Sequence, residues 1–270
     1  MLMFQSLRHF FSRRSRVLPG EAARVPEGER VYAIGDIHGR LDLFEALIAA
    51  VEEDDAAGAP AETQVVLLGD LVDRGPDSAG VIARARDWQR RANVRILGGN
   101  HEEMFLRSFD DTETLRHFLR FGGRETLLSF GVSPRRLADA EPEEAQELMR
   151  RAVPQDVRDF IAGFEEMIAI GDYLFVHAGI EPGLPLEEQD PRALRWIREP
   201  FLSHGESHGA VVVHGHTITE APDDRGNRIG IDTGAYASGR LTALVLEGDQ
   251  RRFIETVERD GQITTAALIV

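Results

Sequence analysis

The sequence VVLLGDLVDRG, residues 65–75, joins an unbroken apolar run to a group of charged residues bounded by glycines. A continuous apolar run of this kind is typical of a strand that is buried on both faces of a parallel sheet. The charged residues follow where the strand is expected to end, and apolar residues at helical spacing begin again near Ser78. The stretch therefore predicts a strand, a polar turn and a helix, which together make up half of a βαβ unit.

The same order of elements occurs on both sides of this stretch. An apolar run at 31–34 leads into GDIHG, residues 35–39, and another at 94–97 leads into GNHE, residues 99–102. Strands that alternate with helices in this way predict parallel pairing with right-handed crossovers. Two later motifs, VHAG at 176–179 and HGHT at 214–217, again follow apolar runs.

Residues 103–165 interrupt the alternation and carry apolar residues at helical spacing, which predicts a helical insert beside the site. The runs 167–170 and 173–176 flank Gly171-Asp172 and predict a hairpin. Further strands are expected at 211–213, 228–232, 241–246 and 252–257. We expect one domain over residues 29–260, with a basic extension at 1–28 and a C-terminal tail at 261–270.

Composition limits the classes of function. Of 270 residues, 42% are apolar and 29% are charged, as in soluble globular proteins, and no run is apolar for long enough to span a membrane. The formal net charge of −15 argues against nucleic acid as a partner. The chain has no cysteine, which excludes disulfides, zinc–thiolate sites and a cysteine nucleophile and fits a reducing cytoplasm.

Residues 1–16 depart from this acidic composition. They contain four arginines, no acidic residue and several interspersed phenylalanines and leucines. A frayed extension before the fold is the expected state of such a segment. Contact with an anionic membrane surface is the alternative, since basic amphipathic segments bind there.

The five polar motifs together predict a metal site. Functional groups of open α/β sheets gather at the carboxyl ends of the strands, so side chains distant in sequence are expected to meet in one crevice. Their carboxylate, imidazole and amide groups suit manganese, iron or zinc. Two such ions about 3.5–4 Å apart can hold a phosphate and activate water, and Asp70 is the natural carboxylate to bridge them. Any one motif alone would indicate no more than a capped turn or a buried histidine.

The motif set resembles that of the calcineurin-like metallophosphoesterases, and within them the phosphoprotein phosphatases with their bacterial and phage relatives. The segments WIRE at 196–199 and IDTGA at 231–235 are similar to segments of the phage lambda phosphatase, and the likeness extends from about residue 31 to 246. The resemblance implies an α/β fold in which two mixed β-sheets form a sandwich flanked by helices. Strand and helix spacing alone indicate only the alternation.

The resemblance also implies a role for each candidate site residue. One metal ion would be held by Asp36, His38 and Asp70, and the other by Asp70, Asn100, His177 and His216. His101, oriented by Asp73, would protonate the leaving oxygen, and Arg74 and Arg198 would bind the phosphate. Manganese is the expected metal, with iron or zinc as alternatives. The implied reaction is a single in-line attack by metal-bound hydroxide.

Two positions leave the substrate open. Protein phosphatases of this family usually carry arginine where this chain has Gly98, and the symmetric diadenosine tetraphosphate hydrolases lack that arginine too. Those hydrolases typically lack the aspartate of the second motif, which this chain keeps as Asp73. We expect a serine/threonine protein phosphatase acting on phosphorylated proteins, with a dinucleoside-polyphosphate or other small-molecule phosphohydrolase as the alternative. A non-catalytic binding module on the same fold is a remote third interpretation.

Overall fold

Two mixed β-sheets form the centre of the molecule in the computed structural model, which describes residues 22–269. The strands are β1 Glu29–Ile34, β2 Glu62–Leu67, β3 Val94–Ile96, β4 Met167–Ile170, β5 Tyr173–Val176, β6 Val211–His214, β7 Asp223–Asp224, β8 Arg228–Gly230, β9 Arg240–Glu247, β10 Gln250–Arg259 and β11 Gln262–Ile269. One sheet has the order β11-β10-β9-β1-β2-β3 and the other the order β4-β5-β6-β8-β7. The predicted two-sheet α/β architecture is confirmed.

Parallel pairing occurs where the sequence alternates strands with helices. Strands β1, β2 and β3 pair in parallel, and so do β5, β6 and β8. The remaining pairings are antiparallel, which makes both sheets mixed. The carboxyl ends of the parallel strands therefore lie at one edge of each sheet, where ligand-bearing loops can meet.

The helices cover the sheets and fill the segment between β3 and β4. Their bounds are α1 Leu41–Ala57, α2 Ser78–Arg91, α3 Asn100–Arg107, α4 Thr112–Phe118, α5 Arg124–Ser129, α6 Pro134–Asp139, α7 Pro142–Ala152, α8 Gln155–Ala162, α9 Pro191–Trp196 and α10 Ala235–Ser238, with a π-helical turn at Leu119–Gly123 and a 3-10 turn at Leu186–Glu188. Helices α3 to α8 lie where the sequence predicts the helical insert. No helix within residues 22–269 is both long and apolar enough to cross a bilayer.

Both faces of the central strands are buried. Apolar residues of β1 and β2 that face the second sheet, such as Val31 and Val66, pack against Phe175 and Val213. The alternate residues of the same strands pack with α1 and α2 on the outer face. This double burial explains why the strand before Asp70 reads as an unbroken apolar run.

The structure corrects the expected ends of the domain. Residues 261–270 are expected to be a tail, but β11 pairs antiparallel with β10 along its whole length. Its exposed threonines and alanines weaken the apolar alternation by which a strand is recognised. At the other end, Ala23 and Val25 are buried and Val25 N–H donates to Gly248 O at 3.0 Å, so the packed fold extends before residue 29. The basic segment 1–16 lies outside the described residues.

Candidate metal centre and active site

The loops that carry the five motifs meet in one buried cluster. Two groups of three side chains each place ligand atoms within 4.8 Å of one another: His38, Asp70 and His101, and Asp70, His177 and His216. Asp70 belongs to both groups, because its Oδ2 lies 3.6 Å from His38 Nε2 and 3.5 Å from His177 Nε2. A carboxylate shared in this way is what a bridging ligand between two metal ions requires.

Asp36 and Asn100 lie within the same cluster. The His216 N–H donates to Asp36 Oδ2 at 3.1 Å. Asn100 Oδ1 lies 3.0 Å from His177 Nε2 and 2.8 Å from His216 Nδ1. The structure thus brings together, in buried positions, all of the residues predicted as metal ligands: Asp36, His38, Asp70, Asn100, His177 and His216.

The backbone of these loops adopts an unfavourable conformation. Among the described residues, six that are not glycine have positive φ, and five of them belong to the site: His38 at 46°, Asp70 at 49°, Asp73 at 73°, Arg74 at 70° and His216 at 63°. Each such conformation costs about 1–3 kcal/mol and persists only where the surrounding structure imposes it. Their concentration here indicates that side-chain placement, and not local stability, determines the backbone.

Glu102 connects two of the loops, a role that the sequence analysis missed. Its carboxylate accepts hydrogen bonds from Leu71 N–H at 2.7 Å, Asp70 N–H at 2.8 Å and Gly99 N–H at 2.9 Å. No side chain fits at Gly99, since a Cβ there would lie 2.1 Å from Asp70 Oδ1. The three-residue spacing from Gly99 to Glu102 is that of a capping box, which is the signal that could have predicted the contact.

Burial sets the charge states in the cluster. Burial, together with the negative charge of Asp232 and Asp70, raises the pKa of Asp36 well above its usual range, and burial raises the pKa of Asp70 to about 6. Burial lowers the pKa of His177 to about 4 and that of His216 to about 2. These imidazoles are therefore neutral at pH 7, which is the form that binds metals.

The ring orientations also fit metal binding. The Nδ1 atoms of His38 and His177 lie 2.7 Å from Val72 O and 2.8 Å from Leu68 O, which directs their Nε2 atoms toward Asp70. His38 Nε2 and His216 Nε2 are buried without a hydrogen-bond partner. Crowded carboxylates, neutral imidazoles and unpartnered ring nitrogens are the donor set that a pair of divalent cations would satisfy.

His101, Asp73 and Arg74 form a hydrogen-bonded row beside the first ligand group. His101 Nδ1 lies 2.6 Å from Asp73 Oδ2, and His101 Nε2 lies 3.0 Å from Arg74 Nη2. A guanidinium can only donate, so in this arrangement Nε2 accepts and the ring proton is on Nδ1, facing Asp73. The predicted pairing of His101 with Asp73 is thus present in the geometry.

The two arginines predicted to bind phosphate flank different ligand groups. Arg74 lies beside His101, with its guanidinium 4.7 Å from the centre of the Tyr236 ring. Arg198 lies beside the second group, where its Nη2 is 3.5 Å from His216 O. Arg74 is partly exposed and Arg198 is exposed, so each can reach an anion at the surface of the cluster.

Two exposed aromatic rings lie beside the metal cluster, and two further exposed apolar residues are near it in sequence. Among the described residues the large exposed ones are Phe121, Leu184, Trp196, Ile218 and Tyr236. The Trp196 ring lies 6.5 Å from that of His216, and the Tyr236 ring lies 5.5 Å from that of His38. Ile218 follows His216 by two residues, and Phe121 precedes Gly122, whose carbonyl accepts from Arg74 N–H. We call Phe121, Trp196, Ile218 and Tyr236 the apolar rim.

Arg195 lies next to Gly98, the position at which the resemblance to protein phosphatases leads us to expect an arginine. A Cβ at Gly98 would lie 3.7 Å from Arg195 Nε. The Arg195 guanidinium is paired with Glu166 and, at 3.5 Å, with Glu103. Glu103 also accepts from Trp196 Nε1–H at 2.9 Å. The charge of Arg195 is therefore neutralised, and the same carboxylate orients the Trp196 ring.

Comparisons with known proteins identify the family of the chain. The profile of the family described as calcineurin-like phosphoesterase matches residues 29–238. The chain is 34% identical over 158 residues to a symmetrical bis(5'-nucleosyl)-tetraphosphatase of Acidovorax sp., covering 58% of this chain and 47% of that protein. It is 26% identical to an asymmetrical bis(5'-nucleosyl)-tetraphosphatase of Anoxybacillus flavithermus, covering 78% and 88%. It is 28% identical to serine/threonine-protein phosphatase 1 of Salmonella typhimurium, covering 78% and 89%.

Solved structures show the same fold. One, named as a candidate diadenosine tetraphosphatase, has a TM-score of 0.58 at 22% identity and covers 92% of this chain and 98% of its own. Another, a cold-active protein tyrosine phosphatase, has a TM-score of 0.56 at 22% identity and covers 90% and 81%. The chain spans about half the length of the Acidovorax relative but most of each of these two structures.

Proposed function

The chain belongs to the calcineurin-like phosphoesterase family of metal-dependent hydrolases, and within this family we propose that it hydrolyses dinucleoside polyphosphates. The apolar rim carries this proposal. Of the five large exposed apolar side chains among the described residues, Trp196 and Tyr236, both 37% exposed, have rings 6.5 Å and 5.5 Å from the rings of His216 and His38. Exposed rings at the edge of a polar site are suited to stacking nucleobases.

A dinucleotide would use both parts of the site. Its phosphates would meet the metal ions and the arginines, and its bases would cover apolar surface that a phosphate alone leaves exposed. Stacking on an aromatic side chain contributes about 1–3 kcal/mol per base. The names of the Acidovorax and Anoxybacillus relatives support this substrate class. The neutralised Arg195 beside Gly98 supports it as well, because no free arginine replaces the one that the protein phosphatases carry there.

The proposed ligand sets are those that the family resemblance implies. Asp36, His38 and Asp70 would hold one ion, and Asp70, Asn100, His177 and His216 the other. When bound, such ions polarise a phosphoryl oxygen and lower the pKa of a bound water. We take manganese as the metal, because it accepts mixed carboxylate, imidazole and amide ligands. A cytoplasmic location, expected from the absence of cysteine, remains a proposal of the same kind.

The remaining residues would bind and protonate the substrate. Arg74 and Arg198 would hold nonbridging phosphate oxygens, since a guanidinium can donate two parallel hydrogen bonds. Once Arg74 donates to phosphate, His101 Nε2 is free to carry a proton toward the leaving oxygen. Asp73 accepts from His101 Nδ1 and stabilises the imidazolium form that donates this proton.

Serine/threonine protein phosphatase activity is the second candidate. The close pairing of His101 with Asp73 favours it, because a serine or threonine alkoxide is a poor leaving group that needs an acid. The Salmonella relative, which covers most of both chains, is named for this activity.

A substrate panel with Mn²⁺ separates the candidates. We expect kcat/KM for diadenosine tetraphosphate to exceed that for phosphoserine and phosphothreonine peptides by more than about tenfold, or about 1.4 kcal/mol in transition-state stabilisation. A preference of that size for a phosphopeptide would reject the dinucleotide proposal. If the metal-loaded protein hydrolyses none of the phosphoesters tested, the result would favour a non-catalytic binding module.

A further inference from the structure

We propose that Thr126, in helix α5 of the insert, is a positioning residue for His101. Thr126 fixes the carboxylate of Asp73, and through it the direction in which His101 presents its proton. The proposal depends on the proposed function only in taking His101 as the general acid, and not on which phosphoester is the substrate.

The hydrogen bonds around Asp73 leave its carboxylate one orientation. Thr126 Oγ1 donates to Asp73 Oδ1 at 2.6 Å, while Asp73 Oδ2 lies 2.6 Å from His101 Nδ1. Asp73 Oδ1 thus accepts a hydrogen bond from the insert, and Asp73 Oδ2 pairs with His101. Asp73 and Thr126 are both completely buried, so water does not compete for either contact.

The donors and acceptors at Thr126 are fully matched. Its single hydroxyl proton is used by Asp73 Oδ1, so the Ser78 hydroxyl, 3.0 Å away, must donate to Thr126 Oγ1. The Asp73 N–H donates to the same oxygen at 2.9 Å. Both lone pairs of Thr126 Oγ1 are then occupied. Loss of this hydroxyl would take a donor from Asp73 Oδ1 and an acceptor from the Ser78 hydroxyl, while the Asp73 N–H would keep its second contact, with Ser78 Oγ at 3.0 Å.

The insert also holds the backbone of the same turn. Asp73 and Arg74 are consecutive residues in the left-handed region, which neither side chain favours. Arg74 N–H donates to Gly122 O at 3.1 Å. Gly122 itself has φ 112°, and a Cβ there would lie 2.6 Å from Arg74 N. Two insert residues, Gly122 and Thr126, therefore impose the conformation that the acid pair needs.

Loss of the Thr126 hydroxyl should affect proton donation more than metal binding. The N–H of the predicted ligand Asp70 donates to Glu102, whereas the hydroxyl of Thr126 bonds to Asp73 and Ser78. Proton donation matters most when the leaving group is poor. Dependence on the leaving group therefore separates a positioning role from a general effect on folding, which would reduce the hydrolysis of all esters alike.

The test measures kcat on phenyl phosphate, a poor leaving group, and on 4-nitrophenyl phosphate, a good one, with saturating Mn²⁺. An oriented acid contributes about 10²–10⁴ in rate, so partial misalignment in Thr126→Val should lower kcat on phenyl phosphate about 10–100-fold and on 4-nitrophenyl phosphate less than about threefold. Thr126→Ser keeps the hydroxyl and should restore most of the loss. His101→Asn gives the reference for complete loss of the acid.

Ser129→Ala is the matched control. Ser129 lies on the same helix, accepts from Ala79 N–H at 3.0 Å and donates to Thr126 O at 2.7 Å, and so connects α5 to α2 without touching Asp73. Ser129→Ala should leave the ratio of kcat on phenyl phosphate to kcat on 4-nitrophenyl phosphate unchanged. A Thr126→Val protein that loses both activities equally, or neither, would overturn the proposal.

Two further outcomes have a definite meaning. If Thr126→Val does not fold, as judged by circular dichroism, Thr126→Ala replaces it, and an unchanged ratio in that variant overturns the proposal. If His101→Asn shows no dependence on the leaving group, His101 is not the acid and the role of Thr126 is rejected with it. Activity on aryl phosphates without activity on dinucleotides would reject only the proposed substrate.

Discussion

The buried floor of the site and its apolar rim are constructed in different ways. The floor consists of the six predicted metal ligands with His101, Asp73 and Glu102, and all of these residues are buried. They are fixed by hydrogen bonds to backbone and neighbouring side chains, and several have strained φ angles. The rim residues are 37–48% exposed, and they emerge from four separate loops and short helices.

This difference suggests that the floor and the rim have separate roles in the reaction and in the choice of substrate. Strain and buried charge are sustained only where many contacts hold them, so the floor tolerates little change and determines the reaction. Exposed side chains on separate loops can change without disturbing the fold, so the rim is the part of the site that can select a substrate. Variants of the metal ligands and of Glu102 should therefore lose activity on every phosphoester. Variants of the acid pair His101 and Asp73 should lose most on esters with poor leaving groups, and rim variants should lose activity on particular substrates.

Substitution of the shared carboxylate should have the largest effect. Asp70→Asn removes a charge from both ligand groups, and we expect kcat to fall about 10³-fold or more on all substrates, since bound metal supplies several kcal/mol of transition-state stabilisation. Calorimetric titration with Mn²⁺ should show loss of at least one site. Asp87→Asn makes the same change in an exposed pair with Arg91 and should leave activity unaltered. Near-normal turnover of Asp70→Asn with both metals bound would contradict this account of the floor.

Glu102→Gln should have a smaller effect that still extends to every substrate. A glutamine amide cannot accept from all three of the N–H groups of Leu71, Asp70 and Gly99, and an unsatisfied buried donor costs about 1–3 kcal/mol. We expect Mn²⁺ affinity to fall about 10–100-fold, as for other residues that support metal ligands. Glu147→Gln, at an exposed helical pair, is the control. Unchanged affinity and thermal stability would show that Glu102 does not connect the loops.

Substitution of Tyr236 should have a smaller effect than substitution of Asp70 or Glu102. Tyr236 belongs to the rim, although its ring contacts the floor residue His38. Its ring lies against Arg74 and His38, and a cation–π contact of this kind contributes about 0.5–1 kcal/mol at a partly exposed site. Tyr236→Ala should therefore raise KM about two- to fivefold for a small phosphate ester. Tyr236→Phe keeps the ring and should behave as wild type. Equal losses in both variants would assign the effect to the hydroxyl group instead.

The strands and the polar motifs that follow them were largely predictable because their signals are local, whereas the two-sheet sandwich and the role of each ligand came from the family resemblance. Each ligand follows an apolar run by one or a few residues, and the parallel order of the strands brings those ends together. The pairing of His101 with Asp73 came from the family resemblance and is present in the geometry. Strand β11 escaped prediction because its exposed alanines and threonines carry little apolar alternation.

The supporting residues and the rim were not predictable in the same way. Thr126 is one polar residue among many in a helical segment, and its contact with Asp73 spans 53 positions of the chain. Tyr236 lies in a short helix between two glycines, where nothing local indicates that its ring faces Arg74. Trp196 belongs to the WIRE motif, which does not indicate that its ring is exposed beside His216. Such contacts depend on how distant segments pack, which spacing does not encode.

The most direct test of the division between floor and rim is the substrate dependence of Trp196→Ala. With saturating Mn²⁺, kcat/KM for diadenosine tetraphosphate should fall about 5–30-fold, as expected for about 1–2 kcal/mol of lost base stacking. On 4-nitrophenyl phosphate the same variant should stay within about twofold of wild type, because its metals and arginines are intact. Leu184→Ala, the exposed apolar residue outside the rim, should change neither value. Equal losses on both substrates in Trp196→Ala, or no loss on the dinucleotide, would contradict the claim that the rim selects the substrate.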